Sequence, residues 1–189
     1  VIFHIGSLAL TGGPDALVWE EFVGEAIERG VKVSLDPNVR PSLIAQPDVY
    51  RLRIKRLMMK VDILKLSDED LLWLFNESND ESSALSELTS IANAGLLIIT
   101  KGSKGSSIWH NDKWYDAPAY PVDKLSDTVG AGDTFMASVL VWLTKNQNIK
   151  RLGALELKEK QDLQYYAGKA ASLNCKKQGC NPPWENELL

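Results

Sequence analysis

Short apolar runs alternate with longer stretches of helical periodicity along nearly the whole chain, and this rhythm restricts the fold more than any other property of the sequence. Residues 1–5, 31–35, 61–66 and 96–100 read as buried strands, each a brief apolar run. Helical patterns lie between them. Pro14 opens the first, which carries Leu17, Val18, Phe22, Ala26 and Ile27 on one face and stops at Gly30. A second covers 49–59. Ser67 reads as the N-cap of a third that runs through residue 75, with Glu69 and Asp70 in its first turn. A polar loop at 76–83 precedes a helix over 84–94. Gly102 and Gly105 then mark a turn, and short runs at 108–109 and 113–115 read as a hairpin. Two further helices are expected over 132–145 and 160–176.

Such alternation predicts an α/β fold: one domain over 1–189, in three αβα layers, with a mainly parallel central sheet covered by helices on both faces. In sheets of this kind ligands bind outside the carboxyl ends of the strands. The polar segments that begin at Asp36, Ser67, Thr100 and Gly130 each follow a strand or strand-like run, which makes them the candidate site segments. The chain opens inside its first strand, with neither an initiator methionine nor a leading signal sequence. It is expected to be a piece of a longer protein.

Composition excludes several classes. A formal charge of -4 leaves no basic excess for a nucleic-acid surface. No apolar run approaches the roughly 20 residues that a membrane-spanning helix needs. Cys175 and Cys180 are the only cysteines and form no Cys-x-x-Cys pair, which fits a reduced, cytoplasmic protein. His4 and His110 show no ligand-like spacing and read as structural.

The most specific stretch is Asp127-Thr128-Val129-Gly130-Ala131-Gly132-Asp133-Thr134-Phe135, a small-residue loop that runs straight into an apolar helix. Two glycines around an alanine let the backbone approach a ligand closely. The first N–H groups of the following helix lack intrahelical partners and favour an anion. Asp133 is then a carboxylate beside an anion hole. That pairing suits a base acting on a hydroxyl that attacks a phosphoryl group, with the amides of Gly130, Ala131 and Gly132 as donors to the moving oxygens. An ordinary loop capped by Asp133 is the plainer alternative.

This nonapeptide closely resembles the signature of the PfkB (ribokinase-like) family of carbohydrate kinases, and the resemblance extends over nearly the whole chain. It implies ATP-dependent phosphorylation of a sugar primary hydroxyl. It also implies a preceding N-terminal segment that supplies much of the sugar pocket and a small β-sheet lid, through which family members pair as homodimers. Thr100-Lys101-Gly102-Ser103-Lys104-Gly105 resembles the family's nucleotide segment, assigning Thr100, Gly102 and Gly105 to ATP; taken alone it is an ordinary hairpin turn. Lys65-Leu66-Ser67-Asp68-Glu69-Asp70 resembles the magnesium-linked motif. It places Lys65 and Ser67 on the nucleotide side, with Asp70 on Mg2+ through water, where the family has Glu. These carboxylates equally suit a helix N-terminus.

Asp36-Pro37-Asn38-Val39-Arg40 resembles the corresponding stretch of fructokinases and brings Arg40 to the sugar or the transferred phosphate, against the alternative of a surface turn. The last helix and Gln178-Gly179-Cys180-Asn181-Pro182-Pro183 resemble the C-terminal nucleotide-side segment of bacterial fructokinase-like members. Ala171 then faces the nucleotide, although Gly168 stands where the family often has Asn. Asp127 matches a carboxylate that serves a monovalent cation such as K+. Fructose is the substrate this resemblance favours. Aminoimidazole riboside, ribose and 2-keto-3-deoxygluconate are the alternatives, and a non-catalytic nucleotide-binding relative is the competing class.

Overall fold

The computed structural model describes residues 1–76 and 80–188. The span read from sequence as one domain, 1–189, divides into two compact units, Val1–Leu97 and Ile98–Leu189. Six strands pair in chain order: β1 (Ile2–Gly6), β2 (Lys32–Asp36), β3 (Ile63–Ser67), β4 (Leu96–Thr100), β5 (Ser106–His110) and β6 (Lys113–Ala117). The resulting sheet is mixed. β1 and β3 each run parallel to β2, whereas β4–β5 and β5–β6 are antiparallel, as the hairpin reading anticipates.

In the first unit β1 lies beside β2 with Ile2 opposite Lys32 and Gly6 opposite Asp36. The strand ends approach so closely that a Cβ on Gly6 would lie 1.8 Å from the Asp36 carbonyl oxygen. No side chain fits there. Helices α1 (Gly13–Glu28), α2 (Pro47–Met58), α3 (Asp68–Leu74) and α4 (Glu81–Ile91) accompany these strands. Val33, Leu35, Ile54, Leu57, Ile63, Leu64, Leu66 and Leu71 are fully buried, each worth about 1.5–3 kcal/mol relative to exposure.

The face assigned to α1 from sequence is corrected. Ala16, Val23 and Ala26 are its buried residues, and α1 packs on β2, whereas Leu17, Val18 and Phe22 are exposed. The helix is apolar on more than one side, so periodicity alone selects the bulkier stripe. The smaller one lets the helix sit close to the sheet. Phe22 instead meets Trp19 and Phe3 in an aromatic cluster. Asp80 caps α4 by accepting from the Ser83 amide at 2.8 Å, which starts that helix earlier than expected. Of the loop expected at 76–83, residues 77–79 lie outside the described residues.

In the second unit α5 (Ala131–Lys145) and α6 (Leu157–Asn174) pack on each other, and α6 also packs on β5 and β6. Two long polar side chains fasten α6 to the hairpin. The Gln164 amide donates to the Ser106 carbonyl at 3.1 Å, and Lys160 Nζ donates to the Trp109 carbonyl at 3.0 Å. Burial holds the Lys160 ammonium below its ordinary pKa.

Candidate active site

The signature loop is built from its backbone outward. Gly130 is the N-cap of α5 in a left-handed conformation, φ 75°, which costs a side-chain-bearing residue roughly 1–2 kcal/mol. Its missing Cβ also makes room for Cys180, whose Sγ would lie 2.3 Å from that atom. The Thr134 amide makes the first intrahelical bond, to the Gly130 carbonyl at 2.8 Å. Gly132 and Asp133 come before that bond, in the first turn, and both are exposed. The Ala131 amide is engaged locally, donating to the Thr128 carbonyl at 3.2 Å.

Asp127 accepts the Val129 amide on Oδ1 at 3.0 Å and the Gly179 amide on Oδ2 at 2.9 Å. These two donors hold its carboxyl below the usual carboxylate range. The Ser126 amide donates to the Cys175 carbonyl at 2.8 Å. Asn174, at 0% exposure, donates from Nδ2 to the Val129 carbonyl and accepts the Asn181 amide on Oδ1, each at 2.8 Å. The loop is thus laced to the end of α6 and to the tail beyond it. Asp133 lines an open cavity of about 500 Å³ together with Thr134, Ser138, Tyr166, Cys180 and Pro182.

Thr100, Gly102 and Gly105 form the connection between antiparallel β4 and β5, with Thr100 opposite Ser106. Gly102 and Gly105 take positive φ values of 54° and 96°. The Lys101 amide closes the turn on the Gly105 carbonyl at 2.8 Å. Ala171 is half-buried on α6, and its carbonyl accepts the Cys175 amide at 3.2 Å.

In the first unit the C-terminal ends of β2 and β3 carry Asp36, Lys65 and Ser67, with Asp70 in the first turn that follows. Lys65 Nζ donates to Asp36 Oδ2 at 2.8 Å, and each residue is only 3% exposed. Among the described residues Asp36 Oδ1 is buried with no hydrogen-bond partner. Burial pushes the Asp36 carboxyl above its ordinary pKa; the Lys65 charge opposes this, and Asp70 adds to it. Lys65, expected at the nucleotide, therefore has its head group on Asp36.

Asp70 is buried, and both of its carboxylate oxygens accept backbone amides. Its Oδ1 accepts the Val39 amide at 2.8 Å, its Oδ2 accepts the Ser67 amide at 3.2 Å, and its own amide donates to Ser67 Oγ at 3.0 Å. This reciprocal capping box starts α3. Asp70, expected on Mg2+ through water, has its carboxylate on the Val39 and Ser67 amides, and among the described residues no group of three or more His, Cys, Asp or Glu could hold a metal ion. Arg40 is exposed at the surface and donates to the Asn38 and Val39 carbonyls of its own turn at 3.2 and 3.0 Å. Asn174 and Gln164 are missed by sequence reasoning. No local pattern marks a side chain whose partners lie in distant segments.

The fold is an α/β sheet fold shared with sugar kinases. It matches aminoimidazole riboside kinase from Salmonella enterica, solved with aminoimidazole riboside and an ATP analog, at a TM-score of 0.84 and 23% identity, covering 99% of this chain and 61% of that one. It matches fructokinase from Vibrio cholerae O395, solved with fructose, ADP and calcium ion, at a TM-score of 0.77 and 24% identity, covering 95% and 56%. The family model for pfkB family carbohydrate kinases matches residues 2–187, and the chain belongs to that family. It is 35% identical over 156 residues to a fructokinase of Rhizobium leguminosarum bv. trifolii, covering 82% of this chain and 47% of that protein. The chain thus spans about half the length of that relative. Among the described residues no helix is long and apolar enough to cross a membrane.

Proposed function

We propose that the protein transfers a phosphoryl group from ATP to a primary hydroxyl of a small sugar, with fructose as the substrate. The observation that carries this reading is Asp133. It is exposed in the first turn of α5, directly after a left-handed glycine, at the wall of an open cavity. Asp133 receives the proton of the attacking hydroxyl as that oxygen bonds to phosphorus and the bond to the leaving ADP oxygen breaks. The positive end of α5, with the Gly132 amide foremost, faces the charge that moves. Gly130 keeps the turn open for that approach.

ATP supplies the phosphoryl group. Thr100, Gly102 and Gly105 in the β4–β5 turn, with Ala171 on α6, are the residues assigned to hold it. Arg40 is assigned to the sugar, where a guanidinium suits an oxyanion. Fructose is favoured because the relatives at 31–35% identity are named fructokinases. Aminoimidazole riboside is the second reading, favoured by the fold match to that kinase. A cytoplasmic location, pairing as a homodimer and a cation at Asp127 belong to the same reading.

The test is a coupled ADP-release assay on the full-length protein with ATP, magnesium and a panel of sugars. Fructose-dependent release is expected. Asp133→Asn is expected to lower turnover by about 10²–10⁴-fold while nucleotide binding survives. Near-normal turnover in that variant would remove Asp133 from the chemistry. Nucleotide binding without release on any sugar would make the protein a binding module.

A further inference from the structure

We infer that Asn174 is a positioning residue for the signature loop, fixing the backbone from which Asp133 and the first amides of α5 project; this rests on the reading of Asp133 as the base. Asn174 is the last residue of α6 and is entirely buried. Its side chain does not turn back to cap its own helix. It reaches instead to two separate segments, donating to the Val129 carbonyl and accepting the Asn181 amide, both at 2.8 Å. Val129 immediately precedes the left-handed Gly130 that starts α5, so its carbonyl lies one peptide from the helix entry.

The carboxamide satisfies both partners from one short planar group, with its N–H as donor and its oxygen as acceptor. Leucine of similar size offers neither half and leaves a carbonyl and an amide without their bonds. Aspartate keeps the acceptor for Asn181 but turns a second acceptor toward the Val129 carbonyl. The neighbouring fastenings hold other points of the same loop. Asp127 is tied to the Gly179 amide at 2.9 Å, and Cys180 sits against Gly130. From α6, Asn174 reaches both the loop and the tail. It does not line the cavity beside Asp133, so it acts through the segments it holds.

Asn174→Leu and Asn174→Asp in the full-length protein, assayed with ATP and fructose beside Asp133→Asn, test this. Asn174→Leu is expected to lower kcat on the order of 10²-fold with KM for ATP little changed, since a displacement near 1 Å suffices for such a loss. Asn174→Asp is expected to lose less. Hydrogen exchange of amides 127–132 should quicken in Asn174→Leu while β1, β2 and β3 keep their protection. A folded Asn174→Leu with unchanged kcat, or with unchanged exchange in the loop, overturns the assignment. If Asp133→Asn silences turnover and Asn174→Leu does not, the inference fails and the kinase reading stands. If Asp133→Asn stays active while Asn174→Leu loses turnover, both the base and what Asn174 positions are wrong.

Discussion

The two units handle their carboxylates in opposite ways. In the first, Asp36 and Asp70 are 3% and 6% exposed and are matched by Lys65 or by backbone amides. In the second, Asp133 is exposed and Asp127 is half-buried, the latter held by the Val129 and Gly179 amides. Burial gives the first group a fixed shape and makes its charge expensive. Backbone donors give Asp127 a fixed shape, and both carboxylates stay near water, where a charge is cheap to hold. A base that must accept and release a proton belongs in the second setting.

This contrast can be broken most forcefully at Asp36. Asp36→Ala leaves the Lys65 ammonium buried without its partner and is expected to cost about 3–5 kcal/mol, read by denaturant unfolding. Replacing both residues by apolar ones of like volume, Asp36→Leu with Lys65→Met, is expected to recover most of that loss. If the double variant is no better than the single, the cost does not come from the stranded charge.

Asp70→Ala comes next. It removes the capping box of α3 and leaves the Val39 amide unpaired, an expected loss of about 2 kcal/mol in the same measurement. A loss confined to a few tenths would mean the amides find water.

Gly130→Ala should cost about 1–2 kcal/mol for the left-handed backbone, with a steric share added by Cys180. Adding Cys180→Gly is expected to return the steric share and none of the backbone share. Full recovery in the double variant would locate the whole effect in the contact.

The gentlest test is one NMR titration of both units. The Asp36 carboxyl is expected to titrate above the ordinary value of about 3.9 and Asp127 below it. For Asp127 the folded pKa is depressed, so its stabilisation is complete above about 3.9 and fades as the pH falls through the lower folded midpoint. Asp36 has the opposite sign. Its ionisation opposes folding once the pH rises past about 3.9. Amide shifts of Val129 and Gly179 report the first and the Lys65 side chain the second; equal midpoints would erase the distinction between the units.

Much of this was legible in residue order. The apolar run 96–100 coincides with β4, and the hairpin, the Ser67 cap and the helix after the signature loop all follow from local chemistry. What escaped has a common cause. The side of α1 that faces the sheet, the seat of Lys65 on Asp36 and the reach of Asn174 all depend on segments far apart in sequence. Periodicity reports that a residue is apolar, and a motif reports that a residue type suits a reaction. Neither reports which distant backbone group a side chain will meet. The short 3-10 turns at Ser7–Leu10 and Pro41–Leu43 carry no periodicity and were invisible for a simpler reason.

The bare position at Gly6 has a consequence for how the chain can vary. A methyl group there would drive into the Asp36 carbonyl, and the backbone that carries the acid would have to move aside. In a saturation mutagenesis screen Gly6 should therefore prove as intolerant as the charged residues it never touches through a side chain, an apparently silent site whose phenotype belongs to its neighbour.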